Sequence, residues 1–327
     1  MSTIAEQLTS LANTKTAIKD AIEAKGVSVS DSTPFSAYPS KIGEISGGGA
    51  PATKFGASID DVFGTVDDSG NYQTPTSPYE VNIVANNVPS YAFTGRFARS
   101  GVTKSYLKFN VLDETRVLAY SFFAAPSHTE AVLDVPVISG SNICFGTYYD
   151  NVALEEITLT AEEISGTDTC PMMYGKCINL RVANVPYLAQ VLGDNVCQQM
   201  FEGCETLQEM PLQMLEEVSG VQAFFGAFRY TKSISNVMFD KLSGIYGKNV
   251  FGAMFAYSEG LQSVSFPSLV TVSPSTAFGS SSANLIFANC DNLTEIHFRE
   301  DAQEVIEGLS GYSLKFGATN ATIYFDL

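Results

Sequence analysis

The sequence predicts a mainly β protein with short helices, built as a parallel solenoid of stacked repeats that follows an N-terminal helical segment. Three observations support this prediction. Aromatic residues recur every 27 residues through much of the second half of the chain, a narrow apolar stripe marks residues 4–22, and a glycine-rich stretch separates the two regions. A fixed period of roughly 20 to 50 residues is typical of repeat architectures.

The repeat is clearest in five segments that share one template. An aromatic residue is followed after three residues by a small residue and after six by an aliphatic residue, with further apolar positions three and five residues later. The predicted repeat core consists of these aromatic and aliphatic residues: Tyr174, Leu180, Phe201, Leu207, Phe228, Ile234, Phe255, Leu261, Phe287 and Leu293. Because one such unit cannot bury its own apolar face, each unit must stack on the next.

The spacing within the unit also predicts where its strand lies. The positions three and five residues after the aliphatic residue share one face of a strand, so a turn followed by a short strand fits the template. The aromatic position recurs earlier at Tyr148, and segments 93–109 and 120–135 look like further copies whose register is ambiguous. We therefore predict about seven repeats between residues 82 and 298, with parallel strands about 4.8 Å apart.

Residues 1–46 are predicted to form a helical docking or oligomerisation segment. Thr3 and Glu6 have the spacing of a capping box, and Gly26 suits a helix end. An apolar stripe follows the predicted helix: Ile4, Leu8, Leu11, Ile18 and Ile22. This stripe is as narrow as a coiled-coil seam, which predicts burial against other copies or a larger assembly. A helix folded back on its own domain is the alternative.

The remaining boundaries follow from composition. Residues 46–53 read SGGGAPAT and are predicted to be a flexible linker. We therefore expect a glycine-rich linker and a short β connector in residues 47–81, and the solenoid with its C-terminal cap in residues 82–327.

Charge and hydropathy argue against two classes of partner. The formal net charge of −17 would repel a phosphate backbone, so no nucleic-acid binding is expected. No apolar run is long enough to span a bilayer, so no membrane insertion is expected. The N-terminus lacks a basic cap followed by an apolar block, which predicts that there is no secretory signal.

The cysteines are predicted to be packing residues rather than metal ligands. Cys170, Cys177, Cys197 and Cys204 lack the close pairs and the nearby histidine of a zinc site. Cys177, Cys204 and Cys290 instead fall on the small position of the repeat, where free cysteine behaves as a small apolar residue. A disulfide remains the alternative.

The two histidines do not predict a catalytic site. His128 lies beside a proline in a predicted loop, and His297 lies at a polar-face position of a predicted strand. Neither has a recognisable nucleophile nearby in the sequence, and there is no GxSxG motif. The doublets 155–156 and 162–163 contain only glutamate, but neighbouring strand residues point to opposite faces and cannot pair.

The remaining motifs add no cofactor or metal. Asp67, Ser69 and Asn71 alternate as in a calcium loop, but Tyr72 occupies the position that requires glycine, so a hairpin turn is the preferred interpretation. We therefore predict no enzyme activity, no cofactor and no metal. Tyrosines off the repeat template could be exposed for carbohydrate stacking: Tyr246, Tyr257 and Tyr312.

The repeat resembles a known family. In the repeat, an aromatic residue is followed by two residues, Cys, two residues, Leu and an apolar strand, and a proline comes after the strand, as in FPSLVTV (266–272) and NVPYLAQV (184–191). This pattern resembles the BspA-like leucine-rich repeats of bacterial surface proteins and phages of gut bacteria. The resemblance covers about two-thirds of the chain and implies a leucine-rich-repeat-like α/β repeat. Residues 210–212 displace the proline, the period is longer than the commonest one, and a serine-rich insertion surrounds residues 280–283.

The N-terminal helix, the segment TPFSAYPSKI and the glycine link resemble the start of many phage tail-fibre and virion-associated proteins. This implies a virion protein, assembled in the host cytoplasm and released by lysis. It would be a tail fibre or other appendage that contacts tail or capsid proteins and binds a host-surface glycan or protein. The likeness, together with the narrow seam, implies a homotrimer. A head fibre without a receptor, a glycan-degrading tail enzyme and a bacterial surface adhesin are the alternatives.

Overall fold

A computed structural model describes residues 15–16, 18–19, 52–55, 78–85 and 88–327. The chain divides into two compact units, Met1–Ala50 and Pro51–Leu327. In the first unit the described residues are helical, and the side chain of Ile18 is half-buried. Several predictions lie outside the described residues: the seam positions Ile4, Leu8, Leu11 and Ile22, the capping box, the linker before residue 52, and the turn at 67–71.

The described part of the second unit contains sixteen β-strands. In chain order they are β1 Ala52–Phe55, β2 Tyr79–Ala85, β3 Val102–Phe109, β4 Glu130–Asp134, β5 Val137–Ser141, β6 Glu156–Leu159, β7 Glu163–Thr167, β8 Val182–Asn184, β9 Gln190–Leu192, β10 Glu217–Ser219, β11 Asn236–Met238, β12 Gly244–Tyr246, β13 Ser263–Phe266, β14 Thr271–Ser273, β15 Glu295–Phe298 and β16 Thr322–Phe325.

These strands form three sheets with parallel pairing. The first sheet has the order β1-β2-β3-β4-β6-β8, the second β5-β7-β9-β10-β12-β14, and the third β11-β13-β15-β16. The register follows the repeat: Val218 pairs with Val191 on one side and with Ile245 on the other. The predicted mainly β parallel solenoid is confirmed. It has about nine turns rather than seven, because strands before residue 82 and after residue 298 join the sheets.

The template explains the strands that face the core. In β13 the residues three and five positions after Leu261 are Val264 and Phe266, and both are buried while their neighbours are half-buried. The same alternation occurs in β6 and β15. The period-two burial pattern therefore places the predicted apolar positions inside the solenoid.

A proline separates the first sheet from the third. The strand position between β8 and β11 falls on Glu209, Met210 and Pro211. Met210 is buried, but proline has no N–H to donate to a ladder. The displaced proline seen in the sequence therefore marks the point at which strand pairing stops for one coil.

A complete coil has three sides. Two are formed by strands, one from the first or third sheet and one from the second, and the third side is a ribbon of consecutive tight turns. Some amides donate three residues back within the coil, as Ala227 N does to Phe224 O over 3.1 Å. Amides that alternate with these donate to the next coil, as Phe228 N does to Met254 O over 2.8 Å. Positive φ angles recur every fourth residue, at Asn195, Gln199 and Gly203. Between residues 88 and 299 the helical content is one 3-10 turn, Ser282–Asn284, so the α/β form of the repeat is not shown.

The core is arranged in columns of equivalent side chains. One column is a continuous stack of buried aromatic rings with centroids 4.7 to 6.0 Å apart. Its members are Phe97, Phe122, Tyr148, Tyr174, Phe201, Phe228, Phe255 and Phe287. The column fixes the register that the sequence left ambiguous in the first copies. The insertion before Phe287 loops out at Ser282–Asn284, and its ring still lies 6.0 Å from that of Phe255.

A second column lies beside the aromatic one. It contains Val102, His128, Leu154, Leu180, Leu207, Ile234, Leu261 and Leu293. All of these residues are buried. The column extends the aliphatic position of the template, with one exception at His128.

A small helical cap closes the C-terminal end. It contains a 3-10 turn at Glu300–Ala302, helix α1 at Gln303–Glu307 and a second 3-10 segment at Tyr312–Gly317. Ile306 and Phe316 are buried, and Phe287 N donates to Phe316 O over 3.0 Å. In the described part of the chain, no helix has both the length and the apolar character needed to cross a bilayer.

Candidate ligand-binding cleft

The outside of the solenoid is rich in exposed tyrosine. Among the described residues, eight tyrosines are exposed: Tyr91, Tyr106, Tyr120, Tyr187, Tyr230, Tyr246, Tyr257 and Tyr324. Tyrosine gives a rigid apolar ring and a polar hydroxyl at low entropic cost, which suits it to recognition surfaces. Two of these residues, Tyr106 and Tyr187, lie on one concave surface.

This surface is a cleft of about 400 Å³ at the corner where the first sheet turns into the second. We call it the corner cleft. Its lining residues come from four successive coils: Tyr106, Val132, Asp134, Pro136, Thr160, Glu162 and Tyr187. Tyr106 lies on the outward face of β3, opposite Val132 of β4. Asp134 is the last residue of β4, and Thr160 and Glu162 lie between β6 and β7, where the chain turns the corner.

Asp134 is held in place from three sides. Its carboxylate accepts from Lys108 Nζ at 2.6 Å, from Thr160 Oγ1 at 3.0 Å and from the Tyr106 hydroxyl at 3.3 Å. Thr160 Oγ1 also accepts from Val135 N at 2.9 Å. The hydrogen bond from Lys108 lowers the pKa of Asp134 and the bond from Thr160 acts in the same direction, whereas burial opposes them. Asp134 is therefore a fixed carboxylate at neutral pH.

Glu162 is anchored through its backbone instead. Its N–H donates to Pro136 O at 2.8 Å, and its carbonyl accepts from Ala189 N at 2.9 Å. Its side chain is exposed and has no hydrogen-bond partner among the described residues. The corner cleft therefore combines a rigid backbone with one free carboxylate, while Tyr187, with 58% of its surface exposed, forms the opposite wall.

Asp134 does not meet one requirement of glycoside hydrolysis. Hydrolysis needs one carboxyl with a raised pKa to act as the general acid. Lys108 lowers the pKa of Asp134 instead. Aromatic walls and carboxylate acceptors, on the other hand, complement the apolar faces and the hydroxyl groups of a polyol.

The glutamate doublets do not form carboxylate pairs. Glu155 forms an ion pair with Arg181 at 2.6 Å, whereas Glu156 begins β6 and is exposed. Glu162 lines the corner cleft, whereas Glu163 begins β7. The sequence singled out Glu162 only as a member of its doublet.

The three tyrosines that the sequence left off the template lie in different elements of the fold. Tyr257 stacks on Tyr230 with ring centroids 5.0 Å apart, and the Arg229 guanidinium covers both rings. Tyr246 is exposed at the end of β12, and Tyr312 is half-buried beside Phe316 in the C-terminal cap.

The cysteines at the small position act as hydrogen-bond donors within the core. Cys177, Cys204 and Cys290 donate through Sγ to the carbonyls of Tyr148, Tyr174 and Phe255 in the preceding coils, at 3.1, 3.1 and 2.8 Å. All six cysteines are free and buried. Burial raises the pKa of Cys177 to about 12, so its thiol stays protonated.

Cys144, Cys170 and Cys197 occupy a different buried column, which Phe224 and Phe251 continue. No group of three or more potential metal-binding side chains occurs within the described ranges.

The two histidines have different environments. His297 is stacked on Tyr324 with centroids 4.8 Å apart, and its Nδ1 lies 2.9 Å from Asp326 Oδ1 on the outside of the third sheet. His128 lies in a loop, as expected from the sequence, but is completely buried. Its Nε2 lies 3.1 Å from Ser105 Oγ, and burial lowers its pKa to about 3.

Sequence reasoning missed both tyrosines of the corner cleft. Tyr106 shows a weak signal, since it alternates with apolar residues on an eight-residue strand. Tyr187 follows Pro186 in the segment NVPYLAQV, whose only recognisable feature in the sequence is the proline of the repeat. Comparison of the chain with protein-family models, curated proteins and solved structures gave no match.

Proposed function

We propose that the chain is a phage virion protein, a tail fibre or other appendage whose solenoid binds a receptor on the host surface. The observation that supports this best is the combination of a rigid laddered scaffold with eight exposed tyrosines, two of which line the corner cleft. A scaffold whose coils are hydrogen-bonded to one another already orders the backbone of the contact residues, which lowers the entropic cost of binding.

The repeat is proposed to be a variant of the BspA-like leucine-rich repeat. Support comes from the small position of the template. There a buried thiol or hydroxyl donates to the backbone carbonyl of the aromatic residue in the preceding coil, as at Cys204 and Ser258. This bond gives a physical reason for Cys at a fixed distance from the aromatic residue. The connecting ribbon of turns is the point at which the repeat departs from an α/β unit.

Residues 1–46 are proposed to attach the solenoid to the virion and to form a homotrimer. The narrow seam of Ile4, Leu8, Leu11, Ile18 and Ile22 supports this. Linking three solenoids would make weak single contacts effective, because the second and third contacts become intramolecular.

Antibodies against residues 51–327 test the virion assignment. They should decorate an appendage of the particle in electron micrographs and reduce adsorption to host cells. Labelling of the head without an effect on adsorption would support the head fibre instead, and absence of the chain from purified particles would contradict the proposal.

Light scattering after size exclusion tests the role of residues 1–46. The full chain is expected to elute as a trimer and the chain lacking these residues as a monomer. A full chain that is monomeric, together with a truncated chain that still enters the particle, would refute the docking role.

A further inference from the structure

We propose that the corner cleft binds an uncharged sugar residue of a surface glycan. This inference rests on the proposed function and names the ligand class for one site. It starts from the two walls: Tyr106 and Tyr187 are 36% and 58% exposed as whole residues, and both line the cleft, whose volume is about 400 Å³. Volumes of about 300 to 1,000 Å³ are usual for small-ligand sites.

The polar groups of the cleft select a ligand that donates hydrogen bonds. Asp134 and Glu162 can only accept when ionised, and the Thr160 hydroxyl already donates to Asp134. A ligand must therefore bring hydroxyl or amine hydrogens. Carboxylates would repel an anionic glycan, and the net charge of −17 acts in the same direction at longer range.

The charge balance favours a neutral donor over a cationic one. Lys108 Nζ lies 2.6 Å from Asp134 Oδ2 and compensates that carboxylate. One carboxylate, Glu162, is left without a cation among the described residues, and Lys108 itself repels an approaching ammonium or guanidinium group. Hydroxyl groups can bond to both carboxylates without this penalty, while the apolar face of a sugar ring packs on tyrosine.

The site is preorganised. Asp134 and Thr160 form the floor of the cleft. Thr160 Oγ1 donates to Asp134 and accepts from Val135 N, and the Tyr106 hydroxyl donates to the same carboxylate. Val132 and Pro136 add apolar surface between the tyrosines. The floor therefore does not have to reorganise when a sugar ring displaces water.

Titration calorimetry on the full chain with maltose, lactose and mannobiose tests the proposal, with sialyllactose and a tetralysine peptide as charged comparators. We expect at least one neutral disaccharide to bind, with little dependence on salt. Tyr187→Ala should weaken this binding at least tenfold, and Glu162→Gln severalfold. Tyr257→Ala, which removes an exposed tyrosine outside the cleft, should leave it unchanged. Melting curves should show that every variant is folded at the temperature of the titration.

The outcomes separate this inference from the proposed function. Absence of binding to every neutral disaccharide, equal binding by Tyr187→Ala, or preferential binding of tetralysine that collapses with salt would each overturn the sugar assignment. If the full chain binds host cells and Tyr187→Ala binds them equally, the cleft assignment fails while receptor binding stands. If a disaccharide binds in the cleft but the chain is absent from virions, the appendage assignment fails and the cleft assignment stands.

Discussion

At the scale of single residues, His128 is the least conventional member of the core. It takes the place of an aliphatic residue between Val102 and Leu154, and it is completely buried. Its ring packs against Phe122 and Tyr148, with centroids 5.2 and 5.6 Å away. An imidazole in such a place must stay neutral, because charging it would require hydration that the core cannot supply.

This burial predicts a loss of stability in acid. The pKa of His128 is about 3 in the folded chain, against 6.5 for an exposed histidine. Below pH 6.5 the imidazole of His128 is protonated in the unfolded chain but stays neutral in the folded chain. The free energy of unfolding therefore falls as the pH drops toward 3. At pH 4.5 the cost from this residue should be about 2 to 3 kcal/mol.

His128→Leu should remove that cost. At pH 7.5 the variant should differ little from the parent, since a better apolar fit is offset by the loss of the bond to Ser105, worth about 1 kcal/mol. The drop in unfolding free energy between pH 7.5 and 4.5, measured with urea, should be smaller in the variant by about 2 to 3 kcal/mol. His297→Asn is the control, and a parent-like drop in His128→Leu would refute the assignment.

At the scale of elements, five of the six strands of the second sheet depend on a glycine at or just beyond their C-terminal ends. These glycines form a column with positive φ, the first two within β5 and β7 and the others directly after β9, β10 and β12: Gly140, Gly166, Gly193, Gly220 and Gly247. At Gly220, with φ of 112°, a Cβ atom would overlap the carbonyl of Gly193 in the preceding coil. Both the backbone angle and the close approach of two coils therefore require a residue without a side chain.

Gly220→Ala should lower the free energy of unfolding by about 3 kcal/mol or more, because strain in the backbone and a steric overlap add. Gly95→Ala is the matched control. Its φ is 65°, and no atom lies within 4 Å of its Cβ position, so only the left-handed conformation costs energy, about 1 to 2 kcal/mol. Equal losses in urea denaturation would show that the overlap between coils relaxes freely.

At the scale of the whole solenoid, successive coils should be interchangeable. Residues 221–247 form one complete coil of 27 residues, and their removal joins Gly220 to Lys248 at equivalent positions. The deletion should therefore keep every column in register and still fold, since each coil interacts mainly with its neighbours. Circular dichroism should show the same strand signal per residue and a cooperative, lower melting transition.

Removal of residues 221–234 provides the contrast. This 14-residue deletion moves every later side chain out of its column, and the product should aggregate or remain unfolded. If both deletions behaved alike, the stacking of equivalent positions would not be what stabilises the molecule.

The sequence alone determined the features that depend on periodicity. The 27-residue spacing of Phe201, Phe228 and Phe255 was enough to predict a parallel solenoid, because an apolar residue that recurs once per coil is buried only if the coils stack. The strand positions followed from the apolar residues three and five positions beyond Leu261. The register of the first two copies, in residues 93–109 and 120–135, could not be predicted. One of their aliphatic positions holds His128, and the aromatic column begins with a coil shorter than 27 residues.

Only the tertiary structure decided what depends on neighbours in adjacent coils. The ribbon of turns buries a residue about every fourth position, as at Cys197, Phe201 and Cys204, a spacing close to that of a helix. Hydrogen bonds to the next coil decide that it is a ribbon of turns instead. The corner cleft joins Tyr106 to Tyr187, which are 81 residues apart and belong to no common motif. Stacking brings these two tyrosines to the same corner because each coil contributes one rung to it, and a linear pattern carries no record of which outward side chains share a corner.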